Sequence, residues 1–151
     1  MKIENLRITD IPKAFFLCKK FNDESPVMNV YEVSFLKGVQ TLLNHAADVD
    51  KCALVARDGD KVIGIMLGGI SEFIFNYEKV LQERLLYVEK DYRNKKIGLE
   101  LLQEFIKWGE SFNCTDVWLQ MTSGMMKHTR VEKLFNTMGF KVIGTQWRRR
   151  K

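Results

Sequence analysis

The stretch that could do chemistry runs Leu85-Leu-Tyr-Val-Glu-Lys-Asp-Tyr-Arg-Asn-Lys-Lys-Ile-Gly-Leu99. An apolar strand there feeds a polar loop that turns straight into a helix. The first turn of a helix has free backbone N–H groups and a partial positive charge, and such an end binds phosphate. Arg93, Lys95 and Lys96 add full charges beside it, and Gly98 lets a ligand approach the backbone. Together they form a candidate pyrophosphate cradle, although the same residues also suit an ordinary solvated loop. Upstream, Glu83 is an acid in an otherwise apolar strand, where burial would raise its pKa. Its plainer reading is an exposed carboxylate paired with Arg84 or a lysine. Strict alternation places Glu83 with Leu85 and Tyr87, opposite Leu86 and Val88, unless a bulge resets the register.

Other chemistries find little support. Cys18, Cys52 and Cys114 are far apart, and His45 and His128 show no metal-ligand spacing. Neither a disulfide framework nor a metal site is expected. The chain has 151 residues, which reads as one domain over 1–151. Its net charge is +5, and four of the positive charges are Arg148, Arg149, Arg150 and Lys151, which leaves the body at +1. Nucleic acid therefore has a basic tail to touch, but no basic face; a solvated tail is the favoured reading. The weakly polar run from Val62 to Ile70 is far short of the ~20 residues of a membrane span. No apolar leader region is visible near Met1, and a cytoplasmic location is the expectation.

The elements that must hold these residues follow from periodicity. Lys2 to Thr9 alternates and predicts a first strand, with Asp10 as the N-cap of a helix carrying Ile11, Ala14, Phe15, Cys18 and Phe21 on one face. That helix stops at the turn-rich Asn22-Asp-Glu-Ser-Pro26. A second runs from Val33 to Asn44, with Phe35, Leu36, Val39, Leu42 and Leu43 inward. Cys52–Arg57 and Lys61–Ser71 form a hairpin about Asp58-Gly59-Asp60. Gly64, Gly68 and Gly69 suggest a bulge or close packing. Phe73 to Tyr77 is an aromatic connection, and Val80–Val88 is a further strand. Ile97–Phe112 is the strongest helix, Asp116–Met121 a short strand, and His128–Met138 a helix closed by Gly139. Phe140–Trp147 reads as one last strand or two short ones. Strands that pair antiparallel early, followed by β-α-β units, argue an α/β sandwich.

Layout and residues together resemble the GNAT superfamily of acetyl-CoA-dependent N-acyltransferases. That family carries V-x-x-x-x-R-x-x-G-x-G/A from its fourth strand into its third helix; here Val88, Arg93 and Gly98 match and Lys96 stands at the first glycine. Leu134-Phe-Asn-Thr-Met-Gly-Phe140 resembles the family's L-Y-x-x-x-G-F ending. Phe21–Ser25 and Glu83–Val88 look like small members common in tailed-phage genomes.

The resemblance implies a mixed, mostly antiparallel sheet of six to seven strands flanked by about four helices. It implies acetyl-CoA as co-substrate, an amine acceptor, no metal and no membrane, and it leaves a homodimer open. The pyrophosphate would sit on backbone N–H groups of Asn94, Lys95, Lys96, Ile97, Gly98 and Leu99, beside Arg93. Pantetheine would pair like a strand along Leu86, Tyr87 and Val88, with the Val88 N–H polarising the thioester carbonyl. Glu83 would be the base. Phe135 stands against the cofactor where relatives carry an acidic tyrosine, so a proton must come from water, Tyr87, Ser123 or His128. Glu24, Ser25 and Tyr31, between the first two helices, would face the acceptor. The expected function is acetyl transfer to a primary amine of a small molecule or protein. The alternative is a catalytically weak or inactive module of the same fold that binds CoA or a partner.

Overall fold

The period-two stretches fold as a meander in the computed structural model, which describes residues 1–93, 95–125 and 128–150, the last segment's first three as backbone. Strands β2 (Lys51–Asp58), β3 (Lys61–Glu72) and β4 (Lys79–Val88) pair antiparallel in succession, and β1 (Lys2–Asn5) lies antiparallel outside β2. Strand β5 (Asp116–Trp118) pairs parallel with β4, giving the order β1-β2-β3-β4-β5. Helices α1 (Ile11–Glu24) and α2 (Phe35–Ala47) cover one face; α3 (Ile97–Glu110) covers the other, where α4 (His128–Thr137) also packs through Phe135.

Each face has its own apolar layer. Ala14, Phe15, Leu17 and Leu42 meet Val55, Ile65 and Leu67 on the first. Leu101, Leu102 and Phe105 meet Leu54, Ile63, Met66 and Leu81 on the second. Alternation along β2 and β3 supplies both layers, as a sheet covered on two sides requires. Gly68 shows how closely α3 lies: a Cβ there would stand 2.3 Å from the Phe105 ring. Gly139, at φ +86°, ends α4 as its position predicts.

Several expectations need correction. The first strand stops at Asn5, and Ile8–Asp10 is a 3-10 turn. Asp10 makes no side-chain cap; its buried carboxylate receives Arg57 instead. The second helix starts at Phe35, capped by the Ser34 hydroxyl, which accepts the Lys37 N–H at 3.3 Å. Leu36 is exposed, not inward. The sheet has five strands among the described residues, not six or seven. Phe140–Trp147 adds none: Val142, Ile143 and Trp147 are exposed, and Arg148 ties the end of the segment to the Val27 carbonyl. Gly144 in its middle offers no side chain to pack. Among the described residues no helix is long and apolar enough to cross a membrane.

Candidate functional site

Two strands that part create the site. β4 and β5 pair from Val80 opposite Asp116 to Gln82 opposite Trp118, and then separate. The second half of β4, Glu83 to Val88, is left with an open edge on that side. Glu89 donates its N–H to Ile63 on β3 at 2.9 Å, so alternation turns the Tyr87 backbone to β3 as well. Leu86 and Val88 therefore present their N–H and C=O groups to the fork. This is the edge that a pantetheine arm could pair with as an added strand.

The helix end sits beside it. The first helical bond of α3 runs from the Glu100 N–H to the Lys96 carbonyl at 3.0 Å, so the N–H groups of Ile97, Gly98 and Leu99 emerge from the open end. Lys96 adopts φ +60°, in the left-handed region that favours glycine. A Cβ on Gly98 would meet only Val88 Cγ2, at 3.7 Å, which puts the cradle next to the β4 edge. Lys95 places its ammonium over the Tyr92 ring, 4.8 Å from the centroid. Asn94, expected in the same cradle, lies outside the described residues, as do Met126 and Lys151.

Glu83 stands where the fork begins. Leu67 pairs with Leu85 and Gly68 with Glu83, so Arg84 is the extra residue of a bulge. The bulge breaks strict alternation. Glu83 now faces the α3 side with Leu81, Leu86 and Val88, while Leu85 and Tyr87 stay on the α1 side. Glu83 and Tyr87 are thus on opposite faces, not one. The Glu83 carboxylate is buried and accepts the Gln120 N–H at 3.0 Å, one step past the last strand pair. Burial pushes its pKa up to about 7, against smaller opposing pulls from the Gln120 N–H and Arg84.

On the other face Tyr87 is buried, and its hydroxyl donates to Glu24 Oε1 at 2.7 Å. Burial and the Glu24 carboxylate raise its pKa, so it is a poor proton donor to a thiolate. Arg93 donates from Nη2 to the second Glu24 oxygen and from Nε to the Val88 carbonyl at 2.9 Å. Glu24 is therefore already paired, and not a free anchor for a cationic amine.

Ser25 is fully buried. Its hydroxyl donates to the Ser123 carbonyl and accepts the Met28 N–H at 3.0 Å. It fastens the α1–α2 connection to the segment after β5. Tyr31 remains half-exposed, with Arg150 6.0 Å over its ring. Phe135 packs in the α3-side layer, 5.8 Å from the Phe140 ring centroid. The side chain of His128 lies outside the described residues.

Sequence reasoning missed the long-range ion pairs, of which one set lies at the end of β4. Glu89 is buried at the end of β4 between Lys20 and Lys61. Arg57 bridges Glu4 and Asp10. The paired residues lie 28 to 69 positions apart and leave no local pattern. Among the described residues no three His, Cys, Asp or Glu side chains cluster as metal ligands. Burial pushes the Cys18 and Cys52 thiols to about 12, which leaves neither a nucleophile.

Comparison with known proteins agrees with this fold. A family model described as "Acetyltransferase (GNAT) family" matches residues 15–140. No curated protein sequence gives a significant match. Among solved structures, the aminoglycoside 6'-N-acetyltransferase AAC(6')-IG of Acinetobacter haemolyticus superposes with a TM-score of 0.76 at 16% identity, covering 100% of this chain and 98% of that one. Glucosamine-6-phosphate N-acetyltransferase of Arabidopsis thaliana gives 0.75 at 16%, covering 99% and 97%. AAC(6')-Iy in complex with the bisubstrate analog CoA-S-monomethyl-acetylneamine gives 0.78 at 14%, again covering 99% and 97%. At these identities the likeness is one of fold.

Proposed function

The chain belongs to the acetyltransferase (GNAT) family and uses acetyl-CoA as its acyl donor; we propose that it passes the acetyl group directly to a primary amine of a small molecule or protein, with Glu83 as the base. The observation that carries this reading is the buried Glu83 carboxyl at the mouth of the β4–β5 fork, with its pKa near neutrality. A base works best when its pKa lies near the working pH.

The pyrophosphate rests on the N–H groups of Ile97, Gly98 and Leu99, with the charge of Lys96 beside them. Leu86 and Val88 pair with the pantetheine amides, and the Val88 N–H polarises the thioester carbonyl. Glu83 takes a proton from the amine as its nitrogen bonds to the carbonyl carbon. The carbon–sulfur bond then breaks, and the thiolate leaves. The proton balance closes when the thiolate is protonated by water, because Phe135 has none to give. Burial raises the thiol pKa of all three cysteines, which disfavours acetyl transfer through an enzyme thiol.

Phe135 also favours a second reading, a slow or inactive member that keeps only donor binding. One experiment separates the two. Acetyl transfer from acetyl-CoA to a panel of primary amines is followed against pH. The expected rate rises as pH passes about 7, because ionisation of Glu83 makes the base. Glu83→Gln is expected to lower kcat by about 10²- to 10⁴-fold and to remove the inflection. Donor binding with no transfer to any amine in wild type would favour the second reading.

A further inference from the structure

Arg93 does not extend to the cradle it borders. Its Nε donates to the Val88 carbonyl at 2.9 Å, its Nη2 to Glu24 Oε2, and its guanidinium lies 5.3 Å over the Tyr87 ring. Tyr87 holds the other Glu24 oxygen. Glu24 is the last residue of α1, so the pair bridges the end of α1 and the loop before α3, 69 residues apart. At the β4 edge the bridge ends on the Val88 carbonyl.

Both of these polar contacts occupy a group that the donor needs. The Val88 carbonyl belongs to the β4 edge, where a pantetheine amide N–H would donate. The forked guanidinium donors match phosphate oxygens as well as they match a carboxylate. The Arg93 and Glu24 side chains are 36% and 34% exposed, so their pairing is weak and exchangeable. A pyrophosphate at a helix N-terminus is the stronger anion for Arg93 to join.

We propose that Glu24 is a positioning residue which holds Arg93 at the β4 edge in the free protein and competes with the donor pyrophosphate for it. Donor binding exchanges one anionic partner of Arg93 for another and uncovers the Val88 carbonyl. The Glu24 carboxylate is then left to Tyr87 alone. Glu24 thereby sets donor affinity without touching the donor. The inference rests on the donor site described under the proposed function.

Calorimetric titration with CoA tests it, on the full chain and at low ionic strength. Glu24→Gln, nearly isosteric and uncharged, is expected to tighten CoA about threefold to fivefold, the scale of a half-exposed ion pair. Repeated in an Arg93→Ala background, the same change is expected to have no effect. Arg93→Gln serves as the background if Arg93→Ala does not fold. A role confined to packing would persist in both backgrounds. The proposal is overturned if Glu24→Gln weakens CoA binding, leaves it unchanged, or tightens it equally without Arg93. Wild type that binds no CoA at millimolar concentration would instead overturn the donor site itself, and this proposal with it.

Discussion

Lys96 keeps the geometry of a glycine with the side chain of a lysine. A left-handed conformation costs an L-residue about 1–2 kcal/mol, and only a gain elsewhere maintains it. Lys96→Gly should therefore raise Tm by about 2–4 °C, roughly 1 kcal/mol for a domain of this size. The same variant should weaken CoA binding several-fold, with a shallower salt dependence, if the ammonium meets a phosphate. Thermal melts and titrations at two salt concentrations check both halves, and an unchanged Tm would show that the loop holds no strain. At this scale the sequence was legible where a residue acts through its own backbone. The helix start at Ile97 follows from local pattern, whereas the β4 edge at Leu86 and Val88 enters only through the resemblance to the GNAT superfamily. Roles that depend on a distant partner were not legible. Glu24 and Ser25 looked free for an acceptor, yet Arg93, Tyr87 and Ser123 engage them.

At the scale of elements, the bulge at Arg84 decides which way the acid points. It lets β4 present Glu83 to the α3 side while keeping Tyr87 on the other, and it faces Gly68, over which α3 lies closest. Gly68→Ala pushes a methyl group into the Phe105 ring and the Gln82 carbonyl. Chemical denaturation should show a loss of about 1–3 kcal/mol, or more if α3 cannot shift. A loss below about 0.5 kcal/mol would mean that α3 is free to move away from the sheet. Helices and hairpins were read from periodicity nearly to their ends, because local spacing sets them. Phe140–Trp147 forms no strand although sheet edges are open to it, because pattern alone does not pair a strand: Gly144 interrupts its face and Arg148 bonds to the Val27 carbonyl.

Across the whole molecule, acids of opposite tendency set the response to pH. Lysine and arginine partners hold the Glu24 and Glu89 carboxyls below the usual range, against the penalty of burial. Such groups stabilise the fold above their unfolded pKa, and that contribution is lost as pH falls through the folded value. Glu83 has the reverse sign. Its folded pKa of about 7 exceeds the usual 4.5, so the folded state binds the proton more tightly. Stability must then decline as pH rises between those values, by up to about 3 kcal/mol at about 1.4 kcal/mol per unit. Wild type should melt highest near pH ~5 and lower at pH 8. Glu83→Gln should remove the decline on the alkaline side; melting curves that keep it would assign the effect to another group.

The attachment of β5 has a kinetic meaning too. β2, β3 and β4 follow one another through short turns, so their pairing closes small loops and can form early. β5 returns to β4 only after the whole of α3, and pairs through three residues. Its amides should be among the first of the sheet to exchange with solvent, and its docking among the last steps of folding. A chain stopped just short of the native state would carry a complete β4 edge and no second wall, so competence to hold a donor arrives with the final strand.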